Sequence, residues 1–173
     1  MAQTKLFKYT LLDLDRSALR LLRLKAAGNK PTRKRKRSMS ANESQSDDEV
    51  ISAERGPEIE CELIEAFFDV DFVPDYEAVS YTWGSADNPR AISVDGSKFL
   101  VTYNLWSLLH DIRYQSEDRI LWIDAICIDQ ANDRERGHQV QQMDRIYRFA
   151  QRVILARTID RNDQHPYGFI GET

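Results

Sequence analysis

An almost uninterrupted run of apolar side chains between Arg119 and Ile128 constrains the fold of this chain more than any other segment. The run is much too short to cross a membrane, which takes about 20 apolar residues. It also lacks the alternation of apolar and polar side chains that marks a strand with one face in water. Strands covered on both faces, as at the centre of a parallel sheet, have this composition. The run therefore predicts a buried central strand.

Segments that favour strands and helices alternate on both sides of this run. Residues 76–83 are rich in aromatic and β-branched side chains and end at Gly84, as a strand does. Apolar side chains spaced i, i+3, i+4 and i+7 from Leu105 predict one helix. A second helix is predicted by the apolar positions Val140, Met143, Ile146, Tyr147 and Ala150. Residues 152–155 supply a further short strand. This order predicts an α/β fold with a partly parallel sheet and flanking helices.

Two pairs of strands are predicted to form hairpins. Asp95-Gly96 is a strong hairpin-turn signal and lies between two short β-prone segments. Earlier in the chain, the apolar residues 18–24 and the alternating residues 58–63 flank a long insertion. A hairpin turn tolerates such an insertion because the entropic cost of closing a loop grows slowly with its length. The sequence therefore predicts an N-terminal β-hairpin beside the α/β core.

The insertion, residues 29–57, is the clearest break in composition. Its basic run consists of Arg33, Lys34, Arg35, Lys36 and Arg37. Serines and acidic residues follow, with few large apolar side chains, so the segment cannot bury enough surface to offset the entropy lost on ordering. We therefore expect a disordered charged loop. The basic run fits a nuclear-import signal or an anion-binding patch, and equally a charge run that is merely solvated.

The net charge, the cysteine count and the N-terminal composition exclude some classes of protein. The formal net charge is −4, with 24 basic and 28 acidic side chains, which excludes a uniformly basic nucleic-acid binder. Nucleic-acid binding through the loop is the second alternative function. Two cysteines do not make a disulfide framework, and the N-terminal residues lack the apolar core of a signal peptide. We expect a cytoplasmic protein, or a nuclear one if the basic run acts in import, with no membrane association.

The chain divides into four parts on these grounds. Residues 1–28 form an N-terminal segment with the first strand, residues 29–57 the insertion, and residues 58–156 the core. Residues 157–173 show no periodicity and are expected to form an irregular tail. Because this tail is an unconvincing end for a domain, we expect the fold to be incomplete at the C-terminus.

The core resembles the fungal heterokaryon incompatibility (HET) domain in three blocks of sequence. The blocks are YEAVSYTWG at residues 76–84, VDG with NLWSLL within residues 94–109, and LWIDAICIDQ at residues 121–130, continued by scattered matches up to Ala150. Their order and spacing match over residues 59–156. No block is decisive by itself, but together they make the resemblance specific.

The resemblance implies a role in fungal non-self recognition, in which incompatible cell fusion triggers programmed cell death through protein partners or self-association. HET domains are in turn similar to TIR domains, which have a flavodoxin-like α/β fold. That similarity implies strands at residues 76–82, 119–124 and 152–155, and helices at residues 105–114 and 135–150. Some TIR domains hydrolyse NAD, so NAD glycohydrolysis is the alternative function, with NAD as a substrate and no cofactor.

Candidate ligand-binding residues follow from the rule that ligands of open α/β sheets bind beyond the carboxyl ends of the strands. The rule selects Ser80, Trp83, Gly84, Asp124 and Asp129. The indole could stack on a nicotinamide or adenine ring, and the glycine would let a phosphate approach the backbone. A carboxylate could stabilise an oxocarbenium-like transition state. The alternative is structural, with a core tryptophan and two aspartates that fix a tight turn.

Glu135 is the candidate catalytic acid, and it too has a structural alternative. It falls in the first turn of the second predicted helix, where the helix dipole favours a carboxylate, with Asp133 as the predicted N-cap. In TIR-type NAD hydrolases the catalytic glutamate lies after the third strand, and the surroundings of Glu172 do not match it. The resemblance therefore implies an incomplete active site. The spacing of His and Cys residues predicts no metal site.

Overall fold

The computed structural model describes residues 5–28, 59–68, 74–158 and 167–172. The strands are β1 (Ala18–Leu24), β2 (Glu60–Phe67), β3 (Glu77–Tyr81), β4 (Arg90–Val94), β5 (Ser97–Val101), β6 (Arg119–Trp122), β7 (Arg152–Thr158) and β8 (Tyr167–Glu172). The helices are α1 (Tyr103–Ile112), α2 (Asp124–Cys127) and α3 (Asp133–Phe149). The predicted disordered insertion, residues 29–57, lies outside the described residues.

These strands form one 8-stranded sheet in the order β5-β4-β2-β1-β6-β3-β7-β8. β3 lies between β6 and β7 and runs parallel to both. Glu77 and Ala78 of β3 are level with Leu121 and Trp122 of β6, so the two strands end at the same edge of the sheet. The order β6-β3-β7 places the second, first and third parallel strands as in flavodoxin-like sheets. The predicted α/β fold with a partly parallel sheet is confirmed.

The N-terminal hairpin of β1 and β2 is confirmed, but β1 occupies a more central place than the sequence suggests. It pairs antiparallel with β2 along its whole length and antiparallel with β6 on its other side. It therefore joins the hairpin to the parallel strands. Leu19, Leu21 and Leu22 are fully buried, because a strand in the middle of the sheet has both faces covered by other layers of the fold.

The β4–β5 hairpin turns at Asp95 and Gly96, as predicted. The φ angle is 49° at Asp95 and 69° at Gly96, and a tight two-residue hairpin turn of this type needs positive values at both positions. The N-terminal segment covers the outer edge of β5. The Phe7 amide donates to the Lys98 carbonyl over 3.0 Å, and the Lys98 amide donates to the Lys5 carbonyl over 2.8 Å. The chain itself thus closes this edge of the sheet.

The apolar run of residues 119–128 is only partly a strand. β6 ends at Trp122, and the short helix α2 follows. The carbonyl of Ile123 accepts hydrogen bonds from the amides of Ile126 and Cys127, which closes a helical turn instead of extending the ladder. The prediction of a strand throughout the run is wrong, because a short apolar run fits a buried helical turn as well as a strand.

Side-chain caps fix the starts of the two longer helices. The hydroxyl oxygen of Thr102 accepts a hydrogen bond from the Leu105 amide over 3.3 Å at the start of α1. The side-chain oxygen of Asn132 accepts one from the Glu135 amide over 3.2 Å at the start of α3. Each cap satisfies an amide that has no partner within its helix. The predicted cap of α3, Asp133, is instead the first helical residue.

The apolar face predicted for α3 is largely confirmed, since Ile146 lies in the core and Met143, Tyr147 and Ala150 pack against it. Val140 is the exception, because it is 55% exposed. The buried positions are Glu135, Gln139, Gln142 and Ile146. The side-chain amides of Gln139 and Gln142 both donate to the carbonyl of Ala18, over 2.7 Å and 3.3 Å. This polar contact with the start of β1 makes the burial of the two glutamines tolerable.

The C-terminal part differs from the irregular tail expected of residues 157–173. β7 extends to Thr158, and β8 pairs with it in antiparallel orientation. Gly168 and Gly171 interrupt the β8 segment, and glycine within a strand hides the pattern by which strands are recognised. None of the helices in the described ranges has both the length and the apolar character needed to cross a membrane.

Candidate functional site

Trp83 and Asp124 meet at the carboxyl ends of two parallel strands. Trp83 follows β3 and Asp124 follows β6, and the pairing of these strands brings both residues to one edge of the sheet. The indole Nε1–H of Trp83 donates to Oδ2 of Asp124 over 3.2 Å. Trp83 is 43% exposed, so it is not the core aromatic of the structural alternative. An exposed indole held by a carboxylate offers a planar apolar surface to a ring.

Asp124 is held in place by its local backbone. Its Oδ1 accepts a hydrogen bond from the Ala125 amide over 2.7 Å, and its carbonyl oxygen accepts one from the side chain of Gln130 over 2.9 Å. Burial raises the pKa of the Asp124 carboxyl above its ordinary value, while the hydrogen bonds from Ala125 and Trp83 offset part of the shift. The site therefore combines a half-buried carboxylate with an exposed aromatic ring.

Two tyrosines near this carboxylate are missed by the sequence reasoning. Ser80 is exposed on β3. Burial raises the pKa of Tyr81 and of Tyr147, and the negative charge of Asp124 raises both further. The Tyr147 ring also packs edge-on against Trp122, with centroids 5.6 Å apart. Tyr147 escapes notice because an aromatic residue on the apolar stripe of a helix is usually part of the core.

The backbone angle at position 84 and the adjacent side chain of Asn104 both require glycine at this position. The φ angle of Gly84 is +70°, and a Cβ at this position would lie 2.7 Å from Cγ of Asn104. The Asn104 side chain cannot retreat freely, because its Nδ2 donates to the carbonyl of Thr82 over 3.2 Å. These contacts explain the glycine without a ligand. The predicted approach of a phosphate to this backbone stays a prediction.

Asp129 has the turn-fixing role that its structural alternative describes. Its Oδ1 accepts a hydrogen bond from the Ala131 amide over 3.1 Å, and its carbonyl accepts one from the Asn132 amide over 3.0 Å. Its own amide donates to Oε1 of Glu135 over 2.7 Å. These bonds shape the turn that leads into α3. The ligand-binding role of Asp129 stays a prediction.

Glu135, the candidate catalytic acid, is only 1% exposed. Both of its carboxylate oxygens accept hydrogen bonds from the guanidinium of Arg20, and Oε1 also accepts the one from Asp129. A carboxylate so fully engaged supports the structural alternative for Glu135. Its catalytic role stays a prediction.

The predicted basic run lies outside the described residues, so nuclear import and nucleic-acid binding stay predictions. The run comprises Arg33, Lys34, Arg35, Lys36 and Arg37. Within the described ranges, no three His, Cys, Asp or Glu side chains lie close enough together to hold a metal ion. Cys61 and Cys127 are buried and free, and burial raises the pKa of each thiol to about 12, which makes both poor nucleophiles.

The three sequence blocks of the core fall within the match to one protein family. The family model described as heterokaryon incompatibility protein (HET) matches residues 76–169. The chain therefore belongs to the HET family. The matched region begins one residue before β3 and includes Trp83, Asp124 and Glu135.

A relative of known name agrees with this assignment. The chain is 37% identical over 95 residues to "Heterokaryon incompatibility protein 6, OR allele" of Neurospora crassa, and the alignment covers 47% of this chain and 14% of that protein. The chain thus spans a small part of that relative's length. No solved structure matches the chain. On these comparisons, the protein is of the fungal heterokaryon incompatibility type.

Proposed function

We propose that this protein acts in fungal non-self recognition, where its HET domain associates with other protein molecules and thereby triggers programmed cell death after incompatible fusion. The family assignment and the name of the Neurospora crassa relative support the incompatibility role. One structural observation supports association as the mode of action. It is a strip of aromatic rings along α1 that is exposed at one end and half-buried further along the helix.

The strip consists of Tyr103, Trp106 and His110, which lie one helical turn apart in succession. The rings of Tyr103 and Trp106 are stacked with centroids 6.0 Å apart, and those of Trp106 and His110 meet edge to face at 4.3 Å. The guanidinium of Arg90 lies 5.6 Å from the centre of the Tyr103 ring. Tyr103 is 40% exposed and the neighbouring Leu100 is 52% exposed.

Aromatic side chains and arginine are the residues that protein interfaces use as anchors. They contribute large contact areas at a low cost in side-chain entropy, and they dominate the binding energy when they are buried by a partner. The rings of the α1 strip already hold one another in place, so little further ordering is required on binding. Trp106 also packs against the core, so the part of the strip that suits association is its exposed end at Tyr103.

The experiment is a hyphal fusion assay. Strains of a filamentous fungus that express this chain are fused with compatible strains that lack it, and cell death is measured by dye uptake. We expect death in fusions with the wild-type chain, and strongly reduced death with Tyr103→Ala. Phe149→Ala is the control, because Phe149 is an exposed aromatic on a different helix, 59% exposed. Wild-type chain without effect, or Tyr103→Ala as active as wild type, would contradict the proposal.

NAD glycohydrolysis is the second candidate, and the hydrogen bond between Trp83 and Asp124 is the observation that favours it. In this reaction the bond between nicotinamide and ribose breaks with its electron pair leaving on nicotinamide. Water then adds to the oxocarbenium-like ribose and releases a proton, which gives nicotinamide and ADP-ribose. The Trp83 ring would stack on the nicotinamide, and the Asp124 carboxylate would stabilise the positive charge that develops on the ribose.

Incubation of the purified chain with NAD tests this candidate directly. Release of nicotinamide that is lost in Trp83→Ala and Asp124→Asn, but retained in Phe149→Ala, would support it. No release at high protein concentration would reject it and leave the association proposal untouched, because association requires no turnover.

A further inference from the structure

We infer that the outer edge of β2 binds an extended, basic segment of another protein by adding it as a strand to the sheet. This inference gives the association proposed above a second surface, distinct from the ring strip on α1, and it rests on that proposal for its biological meaning. The binding itself follows from the geometry of β2, and it can be measured without any fungal assay.

β2 has a neighbour on only one side for most of its length. It pairs with β1 over residues 61–67, whereas its pairing with β4 is confined to Glu60 and Cys61. Beyond Cys61 the chain of β4 turns away through Asp95 and Gly96 into β5. From Leu63 onward, no strand in the described ranges pairs with the side of β2 that faces away from β1.

The direction of the backbone groups along this edge follows from the bonds at its two ends. The carbonyl of Glu60 accepts from Lys25, so even-numbered residues of β2 turn their backbone groups toward β1. The carbonyl of Cys61 accepts from the Asp95 amide, and the Leu63 amide donates to the Asp95 carboxylate, so odd-numbered residues turn theirs outward.

The outward-facing backbone amides and carbonyls near the end of β2 can bond an added strand. They include the carbonyl of Leu63, both backbone groups of Glu65, and the amide of Phe67. Within the described ranges, no hydrogen bond reaches Glu65 or Phe67 on this side. A row of outward amides and carbonyls is the template that strand addition uses.

Room for the side chains of an added strand exists on both faces of the edge. A cavity of about 520 Å³ is lined by Glu62 and Ile64, whose side chains share one face of the strand, and it also reaches Cys61 and Leu63. A second cavity of about 250 Å³ is lined on the other face by Leu63 and Glu65. Successive side chains of a strand point to opposite faces, so alternate residues of an extended segment would enter the two cavities in turn.

The charge of this edge selects a basic segment. Glu60 and Glu65 are exposed, and neither forms an ion pair with another described residue. Glu62 is already paired with Arg23 and Lys25. Asp95 lines both cavities. Opposite charges across the edge would steer a basic segment to it and disfavour an acidic one.

Three basic side chains also line the cavities, and they do not cancel this selection. Arg20 lines the second cavity, but its guanidinium is already paired with the Glu135 carboxylate. The ammonium of Lys25 lies 2.9 Å from Oε1 of Glu62 and is thereby engaged. Lys8 lines the second cavity, but Glu65 and Asp95 line it as well. Both faces of the edge therefore keep an excess of carboxylates for a basic partner.

The test uses the full chain and a seven-residue acetylated peptide of alternating lysine and valine. Amide hydrogen exchange is followed by NMR with and without the peptide. We expect slowed exchange at Glu65 and Phe67, whose amides point outward. Exchange at Ile64 and Ala66, whose amides are already bonded to β1, should stay unchanged. A peptide in which glutamate replaces lysine should bind about tenfold more weakly or worse.

Glu65→Pro and Glu65→Ala form the matched pair of variants. Proline at position 65 removes an outward amide and leaves the bonds to β1 intact, as proline on an edge strand does. Glu65→Pro should raise the dissociation constant of the lysine peptide about tenfold relative to Glu65→Ala, because Glu65→Ala keeps the amide. Because the exchange pattern is read on the wild-type chain, misfolding of the proline variant would not leave the inference untested.

Three outcomes would overturn the inference. They are no binding of the lysine peptide, binding without the alternating protection, and protection that appears on concentrating the chain alone, which would identify a second copy as the occupant. If peptide binding is found but Glu65→Pro leaves fusion-induced death unchanged, the edge binds strands but is not the surface used in association. If the wild-type chain causes no death while the peptide binds, the proposed function fails and the strand-binding edge stands.

Discussion

Arg20 of β1 and Glu135 of α3 form a buried, two-pronged ion pair across 115 positions of sequence. The Nη2–Oε2 distance is 3.0 Å, and the side chains are 3% and 2% exposed. Nη1 of Arg20 also donates to the carbonyl of Cys127 over 3.2 Å. The pair therefore connects β1 to α2 and to the start of α3, beside the turn between these two helices.

We expect Glu135→Gln to lower the free energy of unfolding by about 3–5 kcal/mol, because it leaves the charge of Arg20 buried without a counter-charge. Arg20→Met combined with Glu135→Met should recover part of this loss, since no buried charge remains. Urea unfolding of the single and double variants measures both effects.

The pair of Arg148 and Asp144 is the control for this experiment. Its side chains are 71% and 76% exposed, so Asp144→Asn should change the free energy of unfolding by less than about 1 kcal/mol. A loss at Glu135 no larger than the loss at Asp144 would contradict the structural role. NAD cleavage that is abolished in a fully stable Glu135→Gln variant would instead support the catalytic hypothesis.

Alanine at Gly84 should be more destabilising than alanine at Gly96. Both glycines have positive φ, near +70°, but a Cβ meets nothing within 4 Å at Gly96, whereas it meets Asn104 at Gly84. Gly96→Ala should cost about 1–2 kcal/mol for the left-handed backbone alone. Gly84→Ala should cost about 1 kcal/mol more, because Asn104 must give up its hydrogen bond to Thr82.

Thermal unfolding of both variants measures the difference. The Asn104→Ala background supplies the control, since removing the obstructing side chain should make the cost of Gly84→Ala similar to that of Gly96→Ala. A cost of Gly84→Ala that does not depend on Asn104 would show that the contact is unimportant.

The stability of the domain should fall on mild acidification because of His110. Burial lowers the pKa of His110 below its ordinary value of 6.5, and the positive charge of Arg113 lowers it further. As pH falls below 6.5, the unfolded chain takes up this proton before the folded chain does. The contribution to stability is therefore complete above pH 6.5 and is lost as pH falls through the lower folded-state pKa.

Urea unfolding at a series of pH values, for wild type and for His110→Gln, measures this contribution. The difference between the two proteins should shrink as pH falls through the folded-state pKa. An NMR titration that places the pKa of His110 above 6.5 would contradict the expectation.

The parts of the fold that the sequence predicts are those set by local rules. Asp95-Gly96 fixes the turn between β4 and β5 because few other pairs of residues accept positive φ at both positions. The parallel strands β3, β6 and β7 are predicted from their apolar and β-branched composition and from the helices between them. The place of β1 is not predictable in this way, because its pairing with β6 joins segments far apart in the chain.

The remaining errors have identifiable physical causes. The strand at residues 119–128 is cut short because the Ile123 carbonyl accepts helical hydrogen bonds. Glutamine is usually a surface residue, but Gln139 and Gln142 are buried because the carbonyl of Ala18 accepts a hydrogen bond from each. At the candidate site, the sequence predicts that Trp83 and Asp124 share one edge, since parallel strands end together.

Titration of the Trp83 indole N–H by two-dimensional NMR tests the central claim, which is that parallel pairing of β3 and β6 places this indole against the carboxylate of Asp124. We predict that the indole resonance, assigned with Trp83→Phe, shifts with an apparent pKa above 3.8, because burial raises the pKa of Asp124 above that value. The shift should vanish in Asp124→Asn and persist in Asp129→Asn. An indole resonance that does not respond to pH, or that responds unchanged in Asp124→Asn, would contradict the account.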